Sequence, residues 1–225
     1  MSHDPSDNVA GKESLTPTKN TLRALKADVT LESAIKELVD NALDGWKRHS
    51  DRYDHLSVEI FTDQDEESTE LVIRDNSGGV PRDEAAMLFG LGRSAKGDVP
   101  GSIGTYGLGA KKALVNLGVP FTITSRHDDA RTGWAYTIDE AWFDDDEDWS
   151  VAVEASDEIS SGTTEVRIHD LAYEWSDEQK AGLIADLGMT YNLFLDDTLD
   201  DESYDIEITV DGDVVEGAGL PDFSY

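Results

Sequence analysis

The sequence predicts an α+β domain built as a two-layer sandwich, with a mixed, mostly antiparallel sheet that carries helices on one face. Several short segments alternate apolar and polar residues, which is typical of half-buried strands. Longer segments repeat apolar residues every three or four positions, which is typical of amphipathic helices. The 225 residues, 38% of them hydrophobic, suffice for one sizeable core. We expect one folded domain at residues 20–225, after a polar, disordered lead-in at residues 1–19.

The strongest helical pattern, from Thr30 to His49, carries an apolar stripe and an ordered polar edge. Thr30 is the predicted N-cap, because its hydroxyl can accept a hydrogen bond from the first turn. Glu37 and Asn41 lie one turn apart, and Asp44 falls nearly above Glu37. This edge is either a solvated helix face or a site that combines two carboxylates with an amide. The stripe consists of Leu31, Ala34, Ile35, Leu38, Val39, Ala42, Leu43 and Trp46.

The same two periodicities predict the other elements. Strands are expected at 56–61, 71–74, 121–125, 134–138, 151–155, 164–169, 204–210 and 214–215, the first and last pairs forming hairpins. Helices are expected at 82–90, at 177–195 and in the stretch that ends at Leu117. Between them lie a glycine-rich polar loop at 91–101 and an acidic loop at 139–150.

A glycine-rich motif runs directly into the third of these helices. Backbone N–H groups and the positive end of the helix dipole make such a start a natural phosphate site. The spacing, G-x-x-G-x-G, differs from the G-x-G-x-x-G of Rossmann folds and lacks the G-K-[ST] ending of P-loops. The motif consists of Gly104, Thr105, Tyr106, Gly107, Leu108 and Gly109, followed by Ala110, Lys111 and Lys112.

A second glycine motif, Asp75-Asn76-Ser77-Gly78-Gly79, follows a predicted strand. Two glycines after a strand indicate a backbone with unusual dihedral angles or a close approach by another molecule. Taken alone, the motif is a weak signal and fits a simple turn as well.

The charge is strongly unbalanced, with 18 Lys+Arg against 49 Asp+Glu and a formal net charge of -31. Such an excess repels nucleic-acid phosphates and destabilises the compact state unless salt screens it. Because the acidic residues are spread along the chain, we interpret the protein as halophilic; the alternative is an acidic interaction protein. Zero cysteines exclude disulfides and thiolate metal sites, and no apolar run approaches the length of a membrane span. We expect a cytoplasmic protein without membrane contact.

Four motifs stand in a fixed order: ELVDNALD, DNSGG, GTYGLG, and SGTT before a strand. Together they resemble the GHKL family, which includes DNA gyrase B subunits, ninety-kilodalton heat-shock chaperones, histidine kinases, MutL-type mismatch-repair proteins and MORC ATPases. The motif style is closest to the MutL and MORC members. The resemblance covers about residues 30–215. It implies the Bergerat ATP-binding fold, with Mg²⁺ and ATP held between the helices and a flexible lid.

The resemblance also implies a role for each motif residue. Glu37 matches the general base that activates the attacking water, and Asn41 resembles the Mg²⁺ ligand. Asp75 resembles the carboxylate that accepts the adenine amino hydrogen, and Gly79 leaves room for the ring. Thr163 matches the threonine that helps to fix Asp75 and a bridging water.

The phosphates are expected on the backbone of the Gly104 to Gly109 motif, with Lys111 or Lys112 adding charge and Lys96 in the lid as a further candidate. Two features depart from the family pattern. Ser77 stands where the pattern has its first glycine, so that turn is expected to be altered. The sequence also has no transducer domain to supply a phosphate-sensing lysine; a partner supplies it, the sequence is a fragment, or the protein works without it.

These motifs favour an ATPase whose lid closure on Mg²⁺ and ATP changes association, as a homodimer or with a partner protein. Nucleic acid is expected to be involved only indirectly, because of the negative charge. Two alternatives remain: a nucleotide-binding regulatory module that does not hydrolyse ATP, and a protein kinase of the anti-sigma type. The biological process stays open, because this fold serves many.

Overall fold

The structure is a computed structural model that describes residues 18–24, 29–48, 52–65, 68–89, 109–195 and 205–218. The helices, in chain order, are α1 (Asn20–Ala24), α2 (Leu31–Arg48), α3 (Ala85–Phe89), α4 (Gly109–Leu117), α5 (Glu140–Asp144), α6 (Asp177–Thr190) and α7 (Asn192–Leu195). The strands are β1 (His55–Gln64), β2 (Thr69–Asp75), β3 (Phe121–Arg126), β4 (Gly133–Ile138), β5 (Glu154–Ser156), β6 (Thr163–Ile168), β7 (Asp205–Val210) and β8 (Asp213–Val214).

The described strands form one sheet in the order β5-β4-β3-β6-β2-β1-β7-β8. Every neighbouring pair is antiparallel except β1 and β7, which run parallel. Both predicted hairpins, β1–β2 and β7–β8, are confirmed. Asp211 and Gly212 close the second hairpin with φ values of 47° and 81°, the left-handed conformation that its tight turn requires.

One face of the sheet packs against the helices, and the apolar side chains of the two layers form the core. The opposite face is charged: Glu165 accepts from Arg74 at 2.7 Å and from Arg167 at 2.9 Å. The predicted α+β sandwich with a mixed, mostly antiparallel sheet is therefore confirmed. Core residues from the two layers include Ile35, Val39, Leu43, Leu114, Leu183 and Leu187 from the helices, and Val58, Ile60, Ile73, Ile123, Val166 and Ile208 from the sheet.

Helix α2 begins at a reciprocal cap. The backbone N–H of Ser33 donates to Oγ1 of Thr30 at 3.2 Å, and the N–H of Thr30 donates to Oγ of Ser33 at 3.0 Å. The buried residues of α2 are those of the predicted stripe, with Asp44 in addition. Glu37 and Asn41 are exposed, whereas Asp44 is buried, so the predicted polar edge passes from solvent into the core along the helix.

The strand predicted at 151–155 and the loop predicted at 139–150 differ in the structure. Strand β5 begins only at Glu154, because Val151 and Val153 pack onto the core from irregular chain. The acidic loop contains helix α5, which Asp139 caps by accepting a hydrogen bond from the N–H of Trp142 at 2.9 Å. An aspartate at this position is a sequence signal for the start of a helix, but it is hard to recognise among so many other acidic residues.

The helix predicted at 177–195 is interrupted at Tyr191, which separates α6 from α7. The hydroxyl of Tyr191 lies 2.8 Å from Oδ1 of Asp40 on α2 and donates to it. This tertiary hydrogen bond explains why a continuous apolar pattern does not give a continuous helix.

The predicted lead-in falls mostly outside the described residues, which begin at Thr18. Lys19, its last residue, is fully buried. The glycine-rich loop predicted at 91–101 also lies outside the described residues. The extent of the domain, 20–225, stays a prediction.

Candidate active site

The carboxylate of Glu37 lies against Gly109, the first residue of α4. A methyl group on Gly109 would lie 1.9 Å from Oε2 of Glu37, so the carboxylate fits here only because the residue is glycine. Glu37 is exposed as a residue, but the protein around its carboxyl group partly desolvates it and raises its pKa. The charge of Asp40 adds to this rise, while Lys112 opposes it. A raised pKa makes the carboxylate a stronger proton acceptor. The candidate base and the end of the glycine motif are therefore neighbours.

Asn41 is exposed one turn after Glu37, and its amide is already oriented. Its Nδ2 donates to the backbone oxygen of Glu37 at 2.7 Å. Oδ1 then remains for a ligand, and no described residue donates to it. An amide oxygen is a hard ligand of the kind that Mg²⁺ accepts beside water and phosphate oxygens. The residue present at this position fits the ion that the resemblance implies.

The two lysines at the start of α4 occupy different environments. Lys111 is only 1% exposed, and burial lowers its pKa. Lys112 is half-buried, and its charge lowers the pKa of Glu37. Of the two lysines that the sequence proposed, Lys112 shares the environment of Glu37.

Asp75 ends β2 and is held by Ser77, the residue that departs from the family pattern. Ser77 donates to Oδ1 of Asp75 twice, from its backbone N–H at 2.9 Å and from its hydroxyl at 2.5 Å. Burial raises the pKa of Asp75, and the Ser77 hydrogen bonds counteract this rise. No described residue donates to Oδ2, which is left as the acceptor for a ligand. The serine thus orients the carboxylate.

Ser77 also contacts helix α2. It is 8% exposed, and a methyl group on Gly45 would lie 2.7 Å from its hydroxyl oxygen. Gly45 therefore lets the turn after β2 approach the helix. Glu37 and Gly45 are eight residues apart on α2, about 12 Å along the helix axis. One helix thus connects the Glu37 end of the site to the Asp75 end.

Gly79 has a positive φ of 67° and lies against the end of β3. A methyl group here would lie 2.2 Å from the backbone oxygen of Arg126, so glycine is required for the packing of the protein itself. That Gly79 also leaves room for adenine stays a prediction. The next residue, Val80, is fixed by both backbone groups: its N–H donates to Ser125 Oγ, and its oxygen accepts from Trp134 Nε1, each at 2.8 Å.

The strand register brings Thr164, rather than Thr163, to the face that carries Asp75. Thr164 pairs with Asp75 on one side and with Ser125 on the other, and its hydroxyl lies 2.9 Å from Ser125 Oγ. Strand alternation places the neighbouring Thr163 side chain on the opposite face. The sequence carries a signal for this, because Thr164 precedes the buried Val166 and Ile168 by two and four residues, which is the period of a strand.

The sequence did not indicate some residues of the candidate site, and others that it did indicate lie outside the described residues. Sequence reasoning did not single out Gly45, Ser125 or Thr164. A helix contact brings Gly45 to the site and the sheet register brings Ser125, and neither has a local sequence signal. Outside the described residues lie Lys96 and the motif residues Gly104, Thr105, Tyr106, Gly107 and Leu108.

The described side chains thus offer a proton acceptor, an amide oxygen and a lysine near the middle of α2, and an oriented carboxylate near its C-terminal part. None of the described helices combines the length and apolar character needed to cross a membrane.

Comparison with known proteins places this geometry in context. The family described as "Histidine kinase-, DNA gyrase B-, and HSP90-like ATPase" matches residues 29–171. Protein MICRORCHIDIA 4 of Arabidopsis thaliana is 32% identical over 93 residues, which are 41% of this chain and 11% of that protein. Protein MICRORCHIDIA 7 of the same plant shows the same identity over 93 residues, 13% of its length. The matched stretch is thus a small part of these relatives.

Because the family match covers more than half of the chain and the sandwich architecture agrees with it, the chain belongs to the histidine kinase-, DNA gyrase B- and HSP90-like (GHKL) ATPases.

Proposed function

We propose that this chain binds Mg²⁺ and ATP and hydrolyses the γ-phosphate. The observation that carries the proposal is the contact between the Glu37 carboxylate and Gly109, because it brings a carboxylate next to the last glycine of the glycine-rich motif. The oriented carboxylate of Asp75, which Ser77 links to Gly45 of α2, supports the proposal as a second fixed point.

In this proposal Asp75 accepts a hydrogen bond from the adenine amino group through Oδ2. Thr164 takes the supporting position that the sequence assigned to Thr163, since it shares the face of Asp75. Gly109 and the preceding motif residues bind phosphate oxygens through backbone N–H groups. Asn41 holds Mg²⁺, which neutralises phosphate charge when bound.

Hydrolysis then requires one proton transfer and one displacement. Glu37 accepts a proton from a water molecule, the water oxygen bonds to the γ-phosphorus, and the bond to the β–γ bridging oxygen breaks. The products are ADP and inorganic phosphate. Lys112 is the described cation near Glu37 that can offset charge in this step.

We further propose that turnover in the isolated chain is slow and rises when the protein associates, as a homodimer or with a partner. Charge on the transferred phosphoryl group needs fixed cations, and closure over the nucleotide is a common rate-limiting step. Among the described residues the site is formed by an exposed helix face, which favours completion by a further segment or subunit.

The test is phosphate release by the 225-residue protein with ATP and Mg²⁺ in molar KCl, over a wide range of protein concentration. We expect turnover below about 1 per second, a rise with concentration, and loss on chelation of Mg²⁺. ATP binding without phosphate release would identify a regulatory module instead. Phosphate transfer to an added protein acceptor would identify a kinase, and fast turnover independent of concentration would show that one chain completes the site.

A further inference from the structure

Lys19 is a fully buried lysine whose ammonium group is enclosed by a segment more than 120 residues later in the sequence, between Trp142 and Asp148. Its exposed fraction is 0%, and Nζ donates to the backbone oxygens of Trp142 and Asp148, each at 2.5 Å. Nζ also lies 4.0 Å from the ring centroid of Trp142 and 6.0 Å from that of Trp149. Two carbonyls and an aromatic face therefore account for the three N–H donors of the ammonium group.

The loop that surrounds the Lys19 ammonium group is held together by its own contacts. The rings of Trp142 and Trp149 meet edge to face at 86°, with centroids 5.7 Å apart. Trp142 Nε1 donates to the oxygen of Ser150 at 2.9 Å, and Trp149 Nε1 donates to the oxygen of Asp146 at 3.2 Å. Asp146 in turn accepts the backbone N–H of Lys19 at 2.7 Å. These bonds fix both rings and hold the main chain of the lysine.

The lysine belongs to the segment that carries helix α1. Leu22 is 1% exposed in the core, and α1 packs against α4. Arg23, one turn after Lys19, pairs with Glu140 and lies 4.4 Å from the ring centroid of Phe143. Two cations of α1 and its flank are thus held by α5 and the loop after it. The same α4 begins at Gly109 beside Glu37.

We propose that the segment from Trp142 to Ser150 is a recognition site for a primary ammonium group, and that Lys19 is its built-in ligand. Occupied in this way, the site is a latch that holds α1 on α4. This inference is independent of the proposed ATPase activity. Salt screens a buried ammonium group less than it screens an ion pair at the surface. The latch should therefore keep its strength at the high salt concentration that a protein with a net charge of -31 is expected to need.

The site selects a primary ammonium group over a quaternary one. Aromatic rings alone attract both. Here two carbonyl oxygens at 2.5 Å require N–H donors, and a trimethylated nitrogen has none. It would leave both carbonyls buried and unpaired, which is costly. Loss of the charge by acylation removes the attraction to the ring as well.

The chain has no cysteine, so Lys19→Cys introduces a single thiol. Alkylation of the denatured variant with 2-bromoethylamine gives a side chain with the length and primary ammonium group of lysine. Alkylation with (2-bromoethyl)trimethylammonium gives the same charge without N–H donors. Lys180→Cys, treated identically, is the matched control, because Lys180 only pairs with the exposed Asp213 at the surface. After refolding in molar KCl, tryptophan emission and amide hydrogen exchange of α1, α4 and β2 are measured.

We expect the unmodified and the trimethylated Lys19→Cys proteins to show red-shifted emission and exchange in α1 at least about 10-fold faster, with β2 unchanged. The primary ammonium form should restore both signals, and the three Lys180→Cys forms should not differ. Restoration by the trimethylated form, or an unmodified variant that behaves as wild type, would overturn the proposal. If Lys19→Cys fails to refold, Lys19→Met fills the site with an uncharged chain of similar length; wild-type exchange in its α1 would overturn the proposal equally.

Discussion

The two ends of the candidate site are built in different ways. At the Asp75 end, hydrogen bonds join the carboxylate, the turn that follows it and strand β3. The Ser77 hydroxyl donates to Oδ1 of Asp75 at 2.5 Å, and the N–H of Val80 donates to Oγ of Ser125 at 2.8 Å. At the Glu37 end, Glu37 and Asn41 are exposed on one helix, and their described contacts are with Gly109 and with the helix backbone.

This difference indicates a division of labour. The Asp75 end is fixed before any ligand arrives, because its hydrogen bonds lie within the protein. In the proposed function, the Glu37 end has its proton acceptor in position and gains further partners when the nucleotide and Mg²⁺ bind. Recognition of adenine should therefore depend on the sheet, and ATP turnover should depend on α2 and the start of α4.

Removal of the Glu37 carboxylate is the change with the largest expected effect. In Glu37→Ala, phosphate release should fall by ~10²–10⁴-fold, because the proton acceptor is lost while the Asp75 end is untouched. The dissociation constant for ATP, measured by calorimetry, should stay near the wild-type value. Glu207→Ala, an exposed glutamate on β7, is the control and should leave both unchanged. Equal turnover in Glu37→Ala and wild type would remove Glu37 from the chemistry.

A smaller effect is expected when Glu37 is displaced rather than removed. Gly109→Ala puts a methyl group 1.9 Å from the present position of Oε2, and the flexible side chain must move away. A misplaced catalytic group can cost up to ~10²-fold in rate, so phosphate release should fall while the melting temperature changes little. In the control, Gly182→Ala, nothing lies within 4 Å of the added carbon, and turnover should be normal. Normal turnover in Gly109→Ala would contradict this geometry.

At the Asp75 end, Ser77→Ala should change pH dependence more than affinity at neutral pH. Burial raises the pKa of Asp75, and the two Ser77 hydrogen bonds oppose that rise. Ser77→Ala removes the hydroxyl bond and keeps the backbone N–H bond, so the pKa of Asp75 should rise further. In the proposed function, adenosine binding requires the ionised carboxylate and should be lost as the pH falls through this pKa. We expect the loss at a higher pH in Ser77→Ala, and a cost of about 1–2 kcal/mol in stability.

Ser68→Ala provides a matched control for that titration, because Ser68 also donates to an aspartate, Asp65 at 3.3 Å, but in an exposed turn. Its binding curve against pH should follow wild type. A curve for Ser77→Ala that coincides with wild type would show that Asp75 does not receive the adenine.

The smallest effect concerns the turn that braces the glycines beside Asp75. Asp128 donates its N–H to the Gly78 oxygen at 3.2 Å, and its Oδ2 accepts from Arg52 at 2.9 Å. Burial opposes ionisation of Asp128, but Arg52, His127 and Tyr53 outweigh it and hold its pKa below the usual range. This stabilisation is therefore present above the ordinary pKa of about 3.9 and is lost as the pH falls through the lower folded value.

Asp128→Asn should lower the melting temperature by a few degrees between pH 5 and 8, and the difference from wild type should shrink below about pH 4. Asp129→Asn is the control, because Asp129 is 74% exposed and lies 3.4 Å from the same arginine. A difference that does not depend on pH would mean that the charge of Asp128 is not what braces the turn.

The sequence predicted the fold class, the α2 helix and the Glu37–Asn41 pair, because these depend on local periodicity and on one helical turn. Motif order proposed Asp75 and Gly109 as site residues, and their roles stay predictions. The sequence could not predict that Ser77 orients Asp75, because the direction of the serine hydroxyl depends on the turn that the chain adopts after β2. It could not predict that Gly45 admits Ser77, because that contact joins two segments about thirty residues apart. For the supporting threonine, the β2–β6 register favours Thr164 over the predicted Thr163, because Thr164 pairs with Asp75. Lys19 was assigned to the lead-in because a buried lysine has no local signature.

The separation of the two ends is tested most directly by measuring ATP affinity and phosphate release together on Asp75→Asn and Glu37→Ala. In Asp75→Asn an amide donor faces the adenine donor, and an unpaired buried group costs ~1–3 kcal/mol, so the dissociation constant should rise about 5- to 150-fold. Turnover at saturating ATP should persist in that variant. Glu37→Ala should show the reverse pattern, with normal affinity and little phosphate release. If both variants lose affinity and turnover in the same proportion, the two ends do not act separately and this account of the site is wrong.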